Sequence, residues 1–372
     1  MKKMLNIIFI LLLAAYGCTS YSQSANKSQL PSGEGKPLRQ IVEENYNKGN
    51  LLIGATTGSW ALGENQGLLL DREFSYVTPE NDYKHMVVHP DPQTWNWSRA
   101  DVWQQHIIDN KQILRMHCPI GPQCSKWAKD DARQPSELEK DMKLFLQKIC
   151  ERYNGKEGYV YMDVVNETVV NGAWHENKSG TFLWECPWFK IGRDTDRNRT
   201  PLYIKIAFET AMKYAPNLKF IYNHHEGPEK TGSWNLIRST IYYLLERNLR
   251  VDGIGWQAHV ERGWETPEHL ENLKKFIKEV HSYNLEFHIT EASVWLKNGK
   301  SESELEAQAD TYRTIMKTLL EMRSGGIICW NTWHISDAHG WHTKWYPSLF
   351  DENYNAKPAY DAIREELSKH ND

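Results

Sequence analysis

Long runs of lysine or arginine are missing from this sequence. The formal net charge of the 372 residues is −4, whereas proteins that bind nucleic acid present a basic patch or stripe. The charge balance therefore excludes a surface built for nucleic acid, and we expect no nucleic-acid partner.

Cysteine pairs at metal-binding or redox spacing are also missing. The chain has 6 cysteines, and no two of them show the CxxC spacing of a zinc ribbon or a thioredoxin-like motif. An oxidising compartment would allow a disulfide, for instance between Cys118 and Cys124, and the spacing leaves this question open.

Histidines cluster at two places, but without a recognised zinc spacing. Because histidine pairs in loops are usually surface groups, we expect neither a metal nor another cofactor. The alternative is a metal-dependent polysaccharide deacetylase or hydrolase, and insensitivity to chelators would argue against it. The clusters are His334, Asp337, His339 and His342, and His224, His225 and Glu226.

Linkers and short repeats are absent after residue 37, which predicts one domain over residues 37–370. Eight apolar, β-prone runs alternate with stretches whose apolar residues lie three or four apart, most regularly at 138–150, 201–214, 234–247, 267–283 and 305–322. This alternation is typical of an α/β protein, a single (β/α)8 TIM barrel. The eight runs are 51–56, 74–78, 113–117, 159–165, 219–222, 253–257, 286–290 and 326–330.

The amino-terminal segment has the pattern of an export signal. Lys2 and Lys3 precede an apolar run, residues 5–15, that is too short to span a membrane as a mature helix. The sequence Ala-Tyr-Gly-Cys at 15–18 resembles a bacterial lipobox, in which Cys18 is lipidated after cleavage. We predict a signal peptide at 1–18, a flexible tether at 19–36, and a lipoprotein in the periplasm or on the cell surface. Simple secretion is the alternative.

Aromatic residues are frequent, with 16 Trp and 18 Tyr. Such residues either fill a core or line a cleft in which aromatic faces stack on sugar rings. Composition alone does not decide between the two.

Two glutamates follow predicted strands that lie across the barrel from each other. Glu167 ends strand four, directly after Asn166, and Glu291 ends strand seven. TIM barrels keep their active sites at the carboxyl ends of the strands, and retaining glycoside hydrolysis needs two carboxyl groups about 5–5.5 Å apart. We predict Glu167 as acid/base and Glu291 as nucleophile, with Asn166 binding the sugar 2-hydroxyl. One such glutamate alone would equally suit a structural ion pair.

From residue 51 to residue 363 the chain resembles glycoside hydrolase family 10, the endo-1,4-β-xylanase family. The resemblance rests on seven motifs that occur in the family's order. They are Val77-Thr78-Pro79-Glu80-Asn81 with Lys84, Arg115 with His117, Asp163-Val164-Val165-Asn166-Glu167, Gly253-Ile254-Gly255 with Gln257 and His259, Ile289-Thr290-Glu291, Trp333 with Asp337 and Trp341, and Leu349-Phe350-Asp351 with Lys357-Pro358-Ala359-Tyr360.

The resemblance implies a retaining β-glycanase that hydrolyses β-linked xylan, or a related plant or algal polysaccharide, by double displacement. We expect it to act as a monomer, with the lipid anchor as its one link to a membrane. His259 would hydrogen-bond Glu291 and keep it ionised, whereas Glu167 must carry a proton. The residues implied in sugar binding are Glu80, Asn81, Lys84, His117, Asn166, Gln257, His259, Trp333 and Trp341.

The chain departs from the family pattern around this unchanged pair. Gly121 stands where the family has Trp, which would leave room for a bulkier or decorated sugar. Ser293 replaces an Asp, which would weaken the electrostatic support for His259, and the segment 223–226 lacks the family's Tyr. The long loop 172–200, with Trp174, Trp184 and Trp188, would rim the cleft.

Two further alternatives follow from these departures. The protein could be a family-10-like glycosidase for a bulkier sugar, or a glycan-binding surface lipoprotein with weak or no catalysis. Retention of both Glu167 and Glu291 argues against the second alternative, because a binding protein needs no nucleophile.

Overall fold

The computed structural model describes residues 35–369, except for residues 47, 131 and 177–184. The predicted signal peptide, Cys18, nearly all of the predicted tether, Trp184 and the last residue of the predicted domain lie outside this part. Within it, no helix combines the length and the apolar character needed to cross a bilayer.

Eight parallel strands close into a barrel, so the predicted fold class is confirmed. Leu51 on the first strand pairs with Ile328 on the last, and this pairing closes the cylinder. Each predicted run overlaps one strand. The strands are β1 (Leu51–Thr57), β2 (Tyr76–Pro79), β3 (Ile113–Met116), β4 (Tyr159–Asn166), β5 (Lys219–His224), β6 (Gly253–Trp256), β7 (Glu286–Trp295) and β8 (Ile328–Thr332).

Helices surround the barrel and bury their apolar faces against it. The starts of two helices show why they begin where they do. The backbone N–H of Gln134 donates to the Glu137 carboxylate at 2.9 Å, and the Ser301 hydroxyl accepts from the N–H of Glu304. The helices are α1 (Leu38–Asn45), α2 (Asn65–Glu73), α3 (Ser98–Asp109), α4 (Pro135–Tyr153), α5 (Leu202–Tyr214), α6 (Thr231–Leu245), α7 (Pro267–Ser282), α8 (Glu302–Met322) and α9 (Pro358–Ser368), with one helical turn at His85–Val88.

The barrel interior contains a fully buried arginine. Arg115 on β3 donates to the Thr290 carbonyl oxygen at 2.9 Å and to the Thr78 hydroxyl at 3.3 Å. Its guanidinium also lies 3.5 Å from the Asp163 carboxylate. One side chain therefore links strands β2, β4 and β7 beneath the carboxyl ends of the strands.

The long loop after β4 differs from the expectation that its tryptophans rim a cleft. Trp174 and Trp188 are both buried. The Trp188 ring packs against His85 with a centroid distance of 5.3 Å, and the indole N–H of Trp174 donates to the Asn198 carbonyl oxygen. These two tryptophans are packing residues, because the loop folds back onto the helices outside the barrel.

The five cysteines in the described ranges are all buried and free. The Cys124 thiol donates to the Gly121 carbonyl oxygen at 2.8 Å. A disulfide between Cys118 and Cys124, which the spacing left open, is therefore not formed.

Candidate active site

A cavity of about 340 Å³ opens at the carboxyl ends of the strands. Its walls come from residues that follow different strands, as the barrel topology requires. All eleven residues predicted for catalysis or sugar binding line this one cavity: Glu80, Asn81, Lys84, His117, Asn166, Glu167, Gln257, His259, Glu291, Trp333 and Trp341.

The two glutamates belong to one hydrogen-bond network centred on the Asn166 side-chain oxygen. Asn223 donates to this oxygen and to the Glu291 carboxylate, both at 2.9 Å. Gln257 donates to the same oxygen at 3.2 Å and to the Glu167 carboxylate at 2.9 Å. Two side-chain amides thus orient both carboxylates before any ligand binds.

Glu167 lies on strained backbone. Its φ of 56° is in the left-handed region, which non-glycine residues seldom adopt. Hydrogen bonds hold it there: its N–H donates to the Asn223 carbonyl oxygen at 3.1 Å, and its own carbonyl oxygen lies 2.9 Å from His175 Nδ1. The turn directs the side chain into the cavity instead of along the strand.

Glu291 is 4% exposed and lies between two histidines. His259 Nε2 is 3.3 Å from one carboxylate oxygen, and His117 Nε2 is 3.9 Å from the other. Burial alone would raise the pKa of Glu291, but the charge of His117 and the contacts with His259 outweigh it and lower the pKa to about 2. Glu291 is therefore a carboxylate at neutral pH.

His117 carries the compensating charge. Its Nδ1 lies 2.7 Å from the buried Asp163 carboxylate. Burial opposes a charge on the ring, but Cys118, Glu291 and the hydrogen bond with Asp163 outweigh it and raise the pKa of His117 to about 10. The floor of the cavity is an alternating series of acidic and basic groups.

The remaining walls of the cavity combine polar groups with indole rings. Lys84 donates to the Asn81 side-chain oxygen at 2.9 Å. Trp333 is buried edge-on against His117, whereas Trp341 is 44% exposed and approaches the His259 ring at 5.0 Å. These groups can hold hydroxyls and the apolar faces of a sugar.

Gly121 is one of the positions at which the chain departs from the family pattern. A Cβ at this position would lie 3.3 Å from Asn166 Cβ and 3.5 Å from Cys118 Sγ, and Gly121 itself is buried. Gly121 is not among the residues that line the cavity, and the expectation that it leaves room for a bulkier sugar stays a prediction. At the other substituted position, the Ser293 hydroxyl lies 3.2 Å from His259 Nδ1.

Three lining residues were not predicted as site residues: Gln123, His225 and Trp295. Trp295 had a detectable signal, because Glu291, Ser293 and Trp295 are alternate residues of β7 and so share one face. His225 occupies the segment in which the family's Tyr is missing. Burial and the neighbouring His224 lower the pKa of His225 to about 3, so this wall is uncharged.

The histidine-rich loop after β8 does not converge on a metal-like site in the described residues. Asp337 instead pairs with Lys357 at 2.9 Å, and the ring of His342 stacks on Trp345. The described ranges hold one group with metal-ligand spacing, formed by Glu286, His288 and Cys329. It lies at the amino ends of β7 and β8, away from the cavity, and Glu286 already pairs with Lys219.

Comparison with known proteins gives a consistent result. The model of the family described as "Glycosyl hydrolase family 10" matches residues 41–366. Endo-1,4-beta-xylanase B of Thermotoga neapolitana is 28% identical over 368 residues, covering 95% of this chain and 96% of the relative. Endo-1,4-beta-xylanase A of Caldicellulosiruptor saccharolyticus is 31% identical over 332 residues, covering 82% of this chain and 90% of the relative.

Solved structures with the same architecture include xylanases of two Thermotoga species. Native xylanase 10B from Thermotoga maritima has a TM-score of 0.77 at 27% identity and covers 90% of this chain and 98% of its own. Xylanase 10B from Thermotoga petrophila in complex with xylobiose has a TM-score of 0.76 at 27% identity, with 91% and 98% covered.

Proposed function

The chain belongs to glycosyl hydrolase family 10 and is an endo-1,4-β-xylanase-like glycosidase; from this premise we propose that Glu291 is its nucleophile and Glu167 its acid/base. The observation that carries the assignment is the shared network. Asn166, Asn223 and Gln257 orient both carboxylates toward one cavity, and a double displacement needs two carboxyl groups on one bond.

In the first step the Glu291 carboxylate attacks the anomeric carbon of the bound sugar. The glycosidic C–O bond breaks, and Glu167 gives its proton to the leaving oxygen. Positive charge develops on the sugar ring, beside the Glu291 carboxylate. Asn223 donates a hydrogen bond to one oxygen of the Glu291 carboxylate, and His117 and His259 favour the ionised form of Glu291.

In the second step Glu167, now a carboxylate, removes a proton from water. The water oxygen attacks the anomeric carbon from the face that the first alcohol left, and the bond to Glu291 breaks. Two inversions restore the original anomeric configuration, and Glu167 regains its proton. Gln257, which donates to Glu167 at 2.9 Å, supports it in its charged form during this step.

We assign β-1,4-linked xylan as the substrate class. The support comes from relatives named endo-1,4-beta-xylanases and from the likeness to a xylanase solved with xylobiose. The residues that line the cavity agree: Lys84, Asn81 and Glu80 offer hydrogen bonds to hydroxyls, and Trp333 and Trp341 offer flat faces.

The test compares wild type with Glu291→Gln, Glu167→Gln and an exposed control, Glu306→Gln, on xylan and on xylo-oligosaccharides. We expect kcat/KM to fall by at least about a thousandfold in both site variants and to stay within twofold of wild type in the control. NMR of early wild-type products would show the β-anomer first. Early α-anomer, or an active Glu291→Gln variant, would overturn the nucleophile assignment.

A separate measurement addresses Glu167. On an aryl β-xylobioside, whose phenolate leaves without a proton, Glu167→Ala should still form the glycosyl-enzyme but cannot activate water, so added azide should attack it in place of water, break the bond to Glu291 and give a β-glycosyl azide with recovery of turnover. Absence of any azide effect, together with normal folding, would contradict the acid/base assignment. No turnover of any xylan by wild type would remove the substrate proposal while leaving the family intact.

We further propose that residues 37–370 form the catalytic domain and that the protein is exported as a lipoprotein anchored at Cys18. The support is the sequence pattern alone: a basic start at Lys2 and Lys3, a short apolar run, and small residues before Cys18. Residues 19–36 would tether the barrel to the membrane.

A further inference from the structure

Trp60 exposes an indole ring at the cavity end of the barrel. It lies in the single turn Ser59–Ala61 that follows β1, and 48% of its surface is exposed. The next residue, Ala61, is fully buried. The turn therefore packs against the barrel through Ala61 and does not require a large side chain at position 60. The exposed indole presents an apolar face and an N–H group to solvent.

The indole is held in a fixed orientation by its surroundings. It folds back over Gly58, where an added Cβ would lie 2.5 Å from the indole nitrogen. The exposed His339 ring contacts it edge-on, with centroids 4.9 Å apart and an interplanar angle of 69°. Little side-chain freedom is left for a ligand to remove on binding.

The turn itself is anchored to the barrel. The Ser59 N–H donates to the Asp82 carboxylate at 2.8 Å. Asp82 is fully buried and also accepts from the Trp103 indole N–H at 2.8 Å and pairs with Arg99. The position of Trp60 is therefore set by the fold.

Two connections link this ring to residues of the cavity wall. The N–H of Glu80, a lining residue, donates to the carbonyl oxygen of Thr57 at the end of β1. His339 is two residues before Trp341, another lining residue, and the Trp341 N–H donates to His334 Nε2 at 3.1 Å. Trp60 thus lies beyond the Glu80 and Trp341 end of the cavity.

We propose that Trp60 and His339 form a distal subsite that stacks one further β-linked pyranosyl unit of the glycan. The inference rests on the proposed function, in which Glu80, Asn81 and Lys84 offer hydrogen bonds to the hydroxyls of the glycan. The apolar face of a pyranose matches the exposed indole, and the His339 imidazole offers a hydrogen bond to a hydroxyl. Chains long enough to reach this point gain a contact that short oligosaccharides lack.

The experiment measures kcat/KM for xylotriose, xylotetraose, xylopentaose and xylohexaose in wild type and in Trp60→Ala. We expect xylotriose to change by less than twofold and the longest substrate to lose about threefold to tenfold, the range of one aromatic contact. Trp60→Phe should recover part of the loss. The matched control is Tyr283→Ala, an exposed aromatic residue after α7 at the opposite end of the barrel, which should show no length dependence.

An equal loss on all lengths, or no loss on any, would overturn the subsite while leaving the xylanase assignment untouched. Calorimetric titration of xylohexaose into Glu291→Gln, with and without Trp60→Ala, removes the dependence on turnover. If wild type hydrolyses no xylo-oligosaccharide, the proposed function fails first. Titration with other β-linked oligosaccharides then tests Trp60 by the same length comparison.

Discussion

The nucleophile candidate and a histidine beside it depend on each other for their charges. His117 Nε2 lies 3.9 Å from the Glu291 carboxylate, and its other nitrogen contacts Asp163. Burial penalises each charge separately, so Glu291 and His117 stay ionised because of the opposite charges beside them. The pKa of Glu291 is about 2 and that of His117 about 10.

Replacing His117 with Asn should therefore change the pH dependence of catalysis. Removal of the neighbouring positive charge raises the pKa of Glu291, so protonation of the nucleophile begins at a higher pH. We expect the acidic limb of the kcat/KM profile to move upward by about one pH unit or more. The profile would be measured from pH 2.5 to 7, with His281→Asn, at the end of α7 away from the cavity, as control. An unchanged limb would mean that another group sets it.

The site residues were predictable where one short motif identifies both the strand and the side chain at its carboxyl end. Glu167 directly follows β4 and Glu291 lies within β7, and the barrel topology brings the carboxyl ends of both strands to the same face. Gln123 was not predicted as a lining residue, because it lies in an irregular loop after β3 where residue spacing says nothing about the direction of a side chain. Only coordinates show that Asn166 lies beside Gly121.

At the scale of the strand, the Gly253-Ile254-Gly255 motif has a steric explanation. A Cβ at Gly255 would lie 2.5 Å from the Asn223 side-chain oxygen and 2.6 Å from the Thr290 methyl group. Asn223 is the residue that donates to both Asn166 and Glu291. Because Gly255 on β6 has no side chain, Asn223 on β5 can reach the position from which it donates to Asn166 and Glu291.

The substitution Gly255→Ala should impair catalysis more than folding. The added methyl displaces Asn223, and misplacement of a reacting group by about 1 Å can cost roughly a hundredfold in rate. We expect kcat to fall at least about tenfold while the melting temperature drops by only a few degrees. Gly232→Ala, a helical glycine in α6 whose Cβ would meet no atom closer than 3.7 Å, is the control. Full activity of Gly255→Ala would show that Asn223 tolerates displacement.

The barrel strands and the longer helices were predictable from the sequence pattern. All eight barrel strands and the helices α4 to α8 coincide with periodic stretches of sequence. The antiparallel pair Val169–Val170 and Ala173–Trp174 was missed, because two residues carry no periodic signal. β7 extends to Trp295, five residues past its predicted end, because Ser293 to Trp295 find a second partner in His259–Glu261.

For the whole molecule, the proposed lipid anchor predicts where the enzyme is found. Wild type made in a bacterial host should incorporate a clickable fatty acid and sediment with membranes, and Cys18→Ser should do neither, because the thiol is the acceptor. Xylanase activity should then appear in the soluble fraction. Cys150→Ser, which changes a buried thiol on α4, is the control. Labelling of the Cys18→Ser variant would contradict anchoring at this residue.

Arg115 has a consequence for how this chain can evolve. The Arg115 guanidinium connects three strands of the barrel and also stabilises the Glu291 carboxylate above it. A substitution of Arg115 would therefore affect both the stability of the barrel and catalysis. We therefore expect changes of sugar preference among descendants of this protein to arise from substitutions in the turns at the open end of the cavity, whereas Arg115 and the charged groups around it stay unchanged.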